Sequence, residues 1–69
     1  MNIQQAIQSV VEGVDLEQDQ AADAMREIMS GEATPAQFGA FVTAMRMKSE
    51  TPYEIAGMAS VMREVSLHV

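Results

Sequence analysis

Cysteine and tryptophan are both absent from this chain of 69 residues, and histidine occurs once, at His68. Without cysteine there is neither a disulfide framework nor a thiolate metal site, and one imidazole is a poor start for a metal site of any other kind. Bases are scarce as well, four against ten acids, so the formal charge is −6. A net negative surface repels phosphate backbones, which argues against nucleic acid as a partner. Apolar runs stop at two or three residues, far below the roughly twenty that span a bilayer. The residues behind Met1 are polar and do not form a secretion signal, so the chain reads as soluble and cytoplasmic with no membrane partner. Aromatic residues make up only 4%, whereas hydrophobic residues make up 48% and methionine occurs seven times. A core must therefore be built from aliphatic and methionine side chains, and at this length it only just outweighs the entropy of ordering the chain.

What is present is helical spacing throughout, with no sustained two-residue alternation. The pattern predicts an all-α, compact bundle of four short helices near 2–12, 16–30, 35–48 and 52–67, forming one domain over 1–69. Ile3, Ile7, Val10 and Val14 mark the first stripe, ended by Gly13. Ala21, Met25 and Ile28, flanked by Ala24 and Met29, mark the second, which stops at Gly31. Phe38, Phe41, Val42 and Met45 mark the third. Ile55, Met58, Ala59 and Met62 mark the fourth, each seventeen residues after its counterpart. Helix starts are signalled by four capping boxes, in which an N-cap side chain and the residue three positions on satisfy each other's backbone donors. These are Asn2 with Gln5, Asp15 with Gln18, Thr34 with Gln37, and Thr51 with Glu54. Pro35 and Pro52 fall at the first helical position, where a missing amide proton costs nothing.

The stretch MRMKSETPYE, residues 45–54, ends the third helix on Ser49 where glycine is usual. A left-handed residue there carries a penalty of roughly 1 kcal/mol for its Cβ. Either that strain is tolerated or the turn takes another geometry.

Several patterns invite sharper readings. Asp15, Glu17 and Asp19 have the spacing of the first ligands of a calcium loop, but Gln20 stands where glycine is required and Arg26 where the bidentate acid belongs. Acids near a helix N-terminus, where the dipole favours them, explain all three. The Met-Arg pairs at 25–26, 45–46 and 62–63 could form anion sites, yet a core methionine beside an arginine along the helix edge explains them as well. Arg46 and Lys48 sit in a last helical turn, where positive charge is favoured. His68 has no acid or nucleophile at a recognisable spacing, and Ser9, Ser30, Ser60 and Ser66 lack a nucleophile-elbow context. No catalytic constellation, cofactor-binding motif or metal-ligand set is present, and the four glycines are isolated.

Gly39 and Gly57 fall inside helices, where glycine costs about 1 kcal/mol against alanine and often marks a close approach. A wheel of the third helix places Phe38, Phe41, Val42 and Met45 on one face and Ala36, Ala40, Thr43 and Met47 on the other. Two apolar faces call for burial on both sides. Behind the aliphatic stripe of the first helix lie Gln4, Gln5, Gln8 and Ser9, polar but uncharged. Four helices do not readily cover all of this by themselves.

Residues 39–64, GAFVTAMRMKSETPYEIAGMASVMRE, resemble the amino-terminal helical domain of the anthranilate phosphoribosyltransferase family, and the whole chain fits that domain. The Phe-Val-x-Ala-Met-Arg-Met-Lys-x-Glu-Thr run followed by Glu-Ile-Ala-Gly is its most specific part. Many relatives have glycine where Ser49 stands, and pyrimidine nucleoside phosphorylases share the domain. The resemblance implies a parent enzyme of tryptophan biosynthesis that joins anthranilate to phosphoribosyl pyrophosphate with magnesium and releases pyrophosphate. It implies further that the substrate residues, including a Gly-Thr-Gly-Gly-Asp loop, belong to a following α/β domain. That loop is absent from residues 1–69, so no catalytic or ligand residue carries over, and the chain by itself is expected to be inactive. In the family the small domain supplies one wall of the interdomain cleft and the homodimer contact, largely through its first and third helices. The expected contact is thus Ala36, Ala40, Thr43 and Met47, with Gln4 and Gln8 beside them. A free-standing acidic adaptor that binds an amphipathic partner through Met-rich surface is the alternative; the resemblance favours the enzyme domain.

Overall fold

The computed structural model describes residues 1–67, so His68 lies outside the described residues. The Asn2 side chain accepts from the Gln5 amide at 2.9 Å while Gln5 Oε1 accepts from the Asn2 amide at 3.2 Å. That box opens α1, Ile3–Val11. Past Val11 the chain turns on Gly13 at φ 82°, with the Gly13 amide donating to Val10 O and the Val14 amide to Ser9 O, each at 2.9 Å. Two such bonds close a Schellman ending, which needs a left-handed residue and therefore favours glycine. Gly31, φ 84°, ends α2, Gln18–Met29, the same way, through Gly31 to Ile28 O at 3.2 Å and Glu32 to Glu27 O at 3.1 Å. Val14 lies beyond the end of α1 and is 52% exposed, so Ala6 takes its place beside Ile3 and Val10 in the buried stripe.

The second helix begins two residues later than the spacing predicts. Glu17 is its N-cap, and Gln20 Oε1 accepts from the Glu17 amide at 3.0 Å. Asp15 and Leu16 are held elsewhere: Lys48 Nζ donates to Asp15 at 2.9 Å, and the Leu16 amide donates to Glu54 at 2.6 Å. A cap residue must leave its side chain free to receive helix amides, and that of Asp15 is engaged by Lys48.

Thr34 and Gln37 cap α3, Pro35–Lys48, with bonds of 3.1 and 2.9 Å. Thr51 and Glu54 cap α4, Pro52–Leu67, with bonds of 3.1 and 2.9 Å. Between them Ser49 stands at φ 76°, ψ 116°, its amide donating to Met45 O at 2.9 Å.

The tightest helix pairs are not chain neighbours. α2 packs on α4 and α1 on α3, with α1 against α2 in between. α2 and α4 run the same way, since Gly57 rests on Gln18 and Ala21 while Glu64 reaches Arg26. The larger core joins Ile3, Ala6, Val10, Leu16, Ala21, Ala24, Phe41, Ala44 and Met45; a smaller one joins Ala22, Met25 and Val61.

The third and fourth stripes shift in register. Phe41 and Met45 are buried, but Phe38 is 46% and Val42 38% exposed, and Ala44 replaces them in the core. On α4, Ile55 and Met62 are each 53% exposed, and the inward line is Glu54, Gly57 and Val61. Gly57 explains the rotation. A Cβ there would run into the Gln18 carbonyl oxygen and lie 3.1 Å from the Ala22 nitrogen and 3.2 Å from the Ala21 Cβ. With glycine at that point the α4 backbone settles directly onto α2, and the bulkier residues on either side are turned outward. Gly39 faces open space, with nothing within 4 Å of a Cβ, so it marks no close approach.

Candidate functional site

Three surface and interior features could carry function, and each follows from the helix placements. The outward side of α3 presents Ala36, Ala40, Thr43 and Met47, all exposed, with Met47 at 83%. Gln4 and Gln8 are exposed on α1, the helix packed against α3. At the C-terminal ends of the two helices, Val10, Val11, Gly13, Ala44, Met47 and Lys48 line a shallow depression. Small side chains on a helix face permit close approach of a second helix.

A second apolar surface lies on the other flank of α3. Phe38, Val42, Met58 and Met62 border a groove floored by Met25, Phe41 and Met45, and Glu50 adds one charged residue to its lining. The sequence stripes assign Phe38, Val42 and Met62 to the interior, whereas all three are exposed at the groove mouth.

The third feature is buried. Glu54 is fully enclosed, at 0% exposure, and its two carboxylate oxygens divide their partners. Oε2 accepts from the Leu16 amide at 2.6 Å; Oε1 accepts from the Thr51 amide at 2.9 Å and Lys48 Nζ at 2.7 Å. Lys48, with its side chain 5% exposed, also donates to Asp15 Oδ1 at 2.9 Å and the Ser49 carbonyl at 3.2 Å. Burial pushes the Glu54 carboxyl upward, but the Leu16 amide, the Lys48 ammonium and the Thr51 amide together hold it below its ordinary range. Burial likewise pushes Lys48 down, and hydrogen bonds and charge from Asp15 and Glu54 leave it raised. Desolvation of a buried ion is tolerated only with such full hydrogen bonding, and no buried side-chain polar atom among the described residues lacks a partner. The sequence marked Glu54 only as a cap and Lys48 only as a charge in a last turn. One signal for more was available, since the seventeen-residue offset aligns Glu54 with the uncharged Gln37.

The family model for the glycosyl transferase family, helical bundle domain, matches residues 4–66. The chain belongs to this family. Its helical-bundle domain is similar to several proteins called anthranilate phosphoribosyltransferase. That of Chloroflexus aurantiacus is 64% identical over 69 residues, 100% of this chain and 20% of that protein. That of Teredinibacter turnerae is 56% identical over the same share of each chain. That of Pseudomonas syringae pv. tomato is 56% identical over 66 residues, 96% of this chain and 19% of that protein. The chain thus spans about a fifth of the length of the curated relatives it matches.

The remaining patterns of this helical-bundle domain resolve into structural roles. Asp15 pairs with Lys48, Glu17 is the N-cap of α2 and Asp19 lies in its first turn, so the three acids do not converge. Among the described residues no three His, Cys, Asp or Glu side chains form a group suited to a metal ion. No described helix is long and apolar enough to cross a membrane. Met25 and Met45 are core residues beside edge arginines; Met62 is exposed, so the third pair departs from that pattern. Arg26 joins Asp23 at 3.2 Å and Glu64 at 3.3 Å, all three exposed, and pairs of that kind contribute little.

Proposed function

We propose that this chain is the amino-terminal helical domain of an anthranilate phosphoribosyltransferase, where it forms one wall of the interdomain cleft and a homodimer contact. The similarity of 54–64% identity to proteins of that name carries the reading. The parent reaction is transfer of the phosphoribosyl group of phosphoribosyl pyrophosphate to anthranilate with release of pyrophosphate. Residues that hold those substrates belong to an α/β domain outside residues 1–69. Among the described residues no donor set fits the magnesium used in such a transfer, because their acids are dispersed or already paired. No chemical step is therefore assigned to any side chain of the bundle.

Two exposed surfaces support a scaffolding role. The Met-lined groove between α3 and α4 is suited to the remainder of the parent enzyme, since methionine packs adaptably against irregular apolar partners. The face of Ala36, Ala40, Thr43 and Met47, with Gln4 and Gln8 alongside, is suited to a second copy, because a two-fold contact uses each small residue twice. Sedimentation velocity at tens of micromolar tests the contact against the Ala40→Arg variant. A wild-type dimer and a monomeric variant with unchanged helical circular dichroism are expected. A monomeric wild type, or a variant dimer as tight as wild type, excludes this interface.

A further inference from the structure

The Lys48–Glu54 cluster ties together three segments whose only buried apolar side chain is Leu16. One is the connection between α1 and α2, where residues 12–15 and 17 are exposed and only Leu16 is buried. Another is the C-terminal end of α3, where Ser49 and Glu50 are exposed and Ser49 has a positive φ. The last is the first turn of α4. By contrast, the helix pairs have apolar contacts of their own: Ile3, Ala6 and Val10 meet Phe41, Ala44 and Met45 across α1/α3, and Ala22 and Met25 meet Val61 across α2/α4. Local stability tracks such contacts, so segments held mainly by polar bonds, with Leu16 as their one apolar anchor in the core, open before the helix pairs do.

We propose that this cluster is an acid-released clasp: protonating Glu54 frees the α1–α2 connection and the α3–α4 corner while both helix pairs stay packed. A neutral carboxyl no longer attracts the ammonium of Lys48, whose remaining carboxylate partner, Asp15, is 64% exposed. It also weakens as an acceptor for the Leu16 and Thr51 amides, because bonds to a charged acceptor are roughly twice as strong as neutral ones. The charged groups facing Glu54 are Lys48 from α3 and, across it, Asp15 from the α1–α2 connection; α4 itself adds the Thr51 amide at its cap. A carboxyl held below its ordinary value contributes stability above the unfolded value and loses it as pH falls through the folded one. Lys48, held above its ordinary value, loses its contribution only as pH rises through the alkaline range. Acid therefore acts through Glu54.

Amide spectra of the 15N-labelled chain, followed from pH 7 downward, test the clasp. The Leu16 and Thr51 signals should shift together with one midpoint, while Ala22 and Ala44 keep their native positions through that transition. Lys48→Met should raise the midpoint by about 1–3 pH units, the usual effect of an opposite charge at this distance. Glu54→Gln should abolish the transition. Leu16 and Thr51 moving only with global unfolding, or at separate midpoints, would overturn the proposal in the wild type alone. So would a midpoint indifferent to Lys48→Met.

Discussion

Thr34-Pro35 and Thr51-Pro52 start α3 and α4 with the same cap, and the apolar residues that follow repeat at an offset of seventeen. The two helices nevertheless turn different sides inward. Phe41 and Met45 are enclosed on α3, while their counterparts Met58 and Met62 are partly and half exposed on α4. Exposed Ala40 and half-buried Gln37 correspond to buried Gly57 and Glu54. Hydrophobic spacing identifies a helix and a set of apolar positions, but which of them faces the core depends on how near a neighbouring backbone can come. On α4 the absence of one Cβ decides it.

The widest gap between the two helices should appear on truncating matched positions. Phe41→Ala is expected to cost about 3–5 kcal/mol, the usual range for a buried aromatic, enough to leave a domain of this size largely unfolded. Met62→Ala should stay within about 0.5 kcal/mol, as for a surface change. Urea melts of both variants measure the contrast, and equal losses would mean that α4 buries its apolar stripe after all.

A smaller effect should separate the two helical glycines. Gly57→Ala forces a methyl group onto the α2 backbone and is expected to lower stability by about 1–3 kcal/mol. Gly39→Ala meets nothing within 4 Å and should raise it by about 0.5–1 kcal/mol through reduced freedom of the unfolded chain. Opposite shifts in thermal midpoint are the expected result; shifts of the same sign would place the close contact elsewhere.

The smallest concerns the corner itself. Ser49 has a positive φ without being glycine, so Ser49→Gly should stabilise by up to about 1 kcal/mol. An unchanged or lower melting temperature would show that the corner carries no such strain.

The sequence made the helix count, three of the four caps and the two glycine endings legible, because each depends on residues within one or two turns of one another. It misplaced the start of α2 because Asp15 answers to Lys48, thirty-three positions away. It misassigned Ile55 and Met62 because their exposure follows from the α2–α4 contact at Gly57, and Phe38 and Val42 because α3 turns Phe41, Ala44 and Met45 toward α1 instead. The expected contact residues were legible only as a second apolar face. The ion cluster was legible only in pieces, since no local pattern reveals that a cap glutamate and a last-turn lysine share one interior.

The interleaved pairing of α1 with α3 and α2 with α4 also has a kinetic side. Leu16 and Glu54 are separated by 38 positions, as are Arg26 and Glu64. Neighbouring helices joined by short loops form contacts early, whereas contacts across such separations are made only after the entropy of closing a long loop has been overcome. The first half of the chain holds only the lesser α1–α2 contact, and neither half contains either of the two main packed pairs. A ribosome that has released α1 and α2 has released no finished folding unit; α1 finds its main partner with α3, and α2 must wait for Gly57 and Val61 of α4.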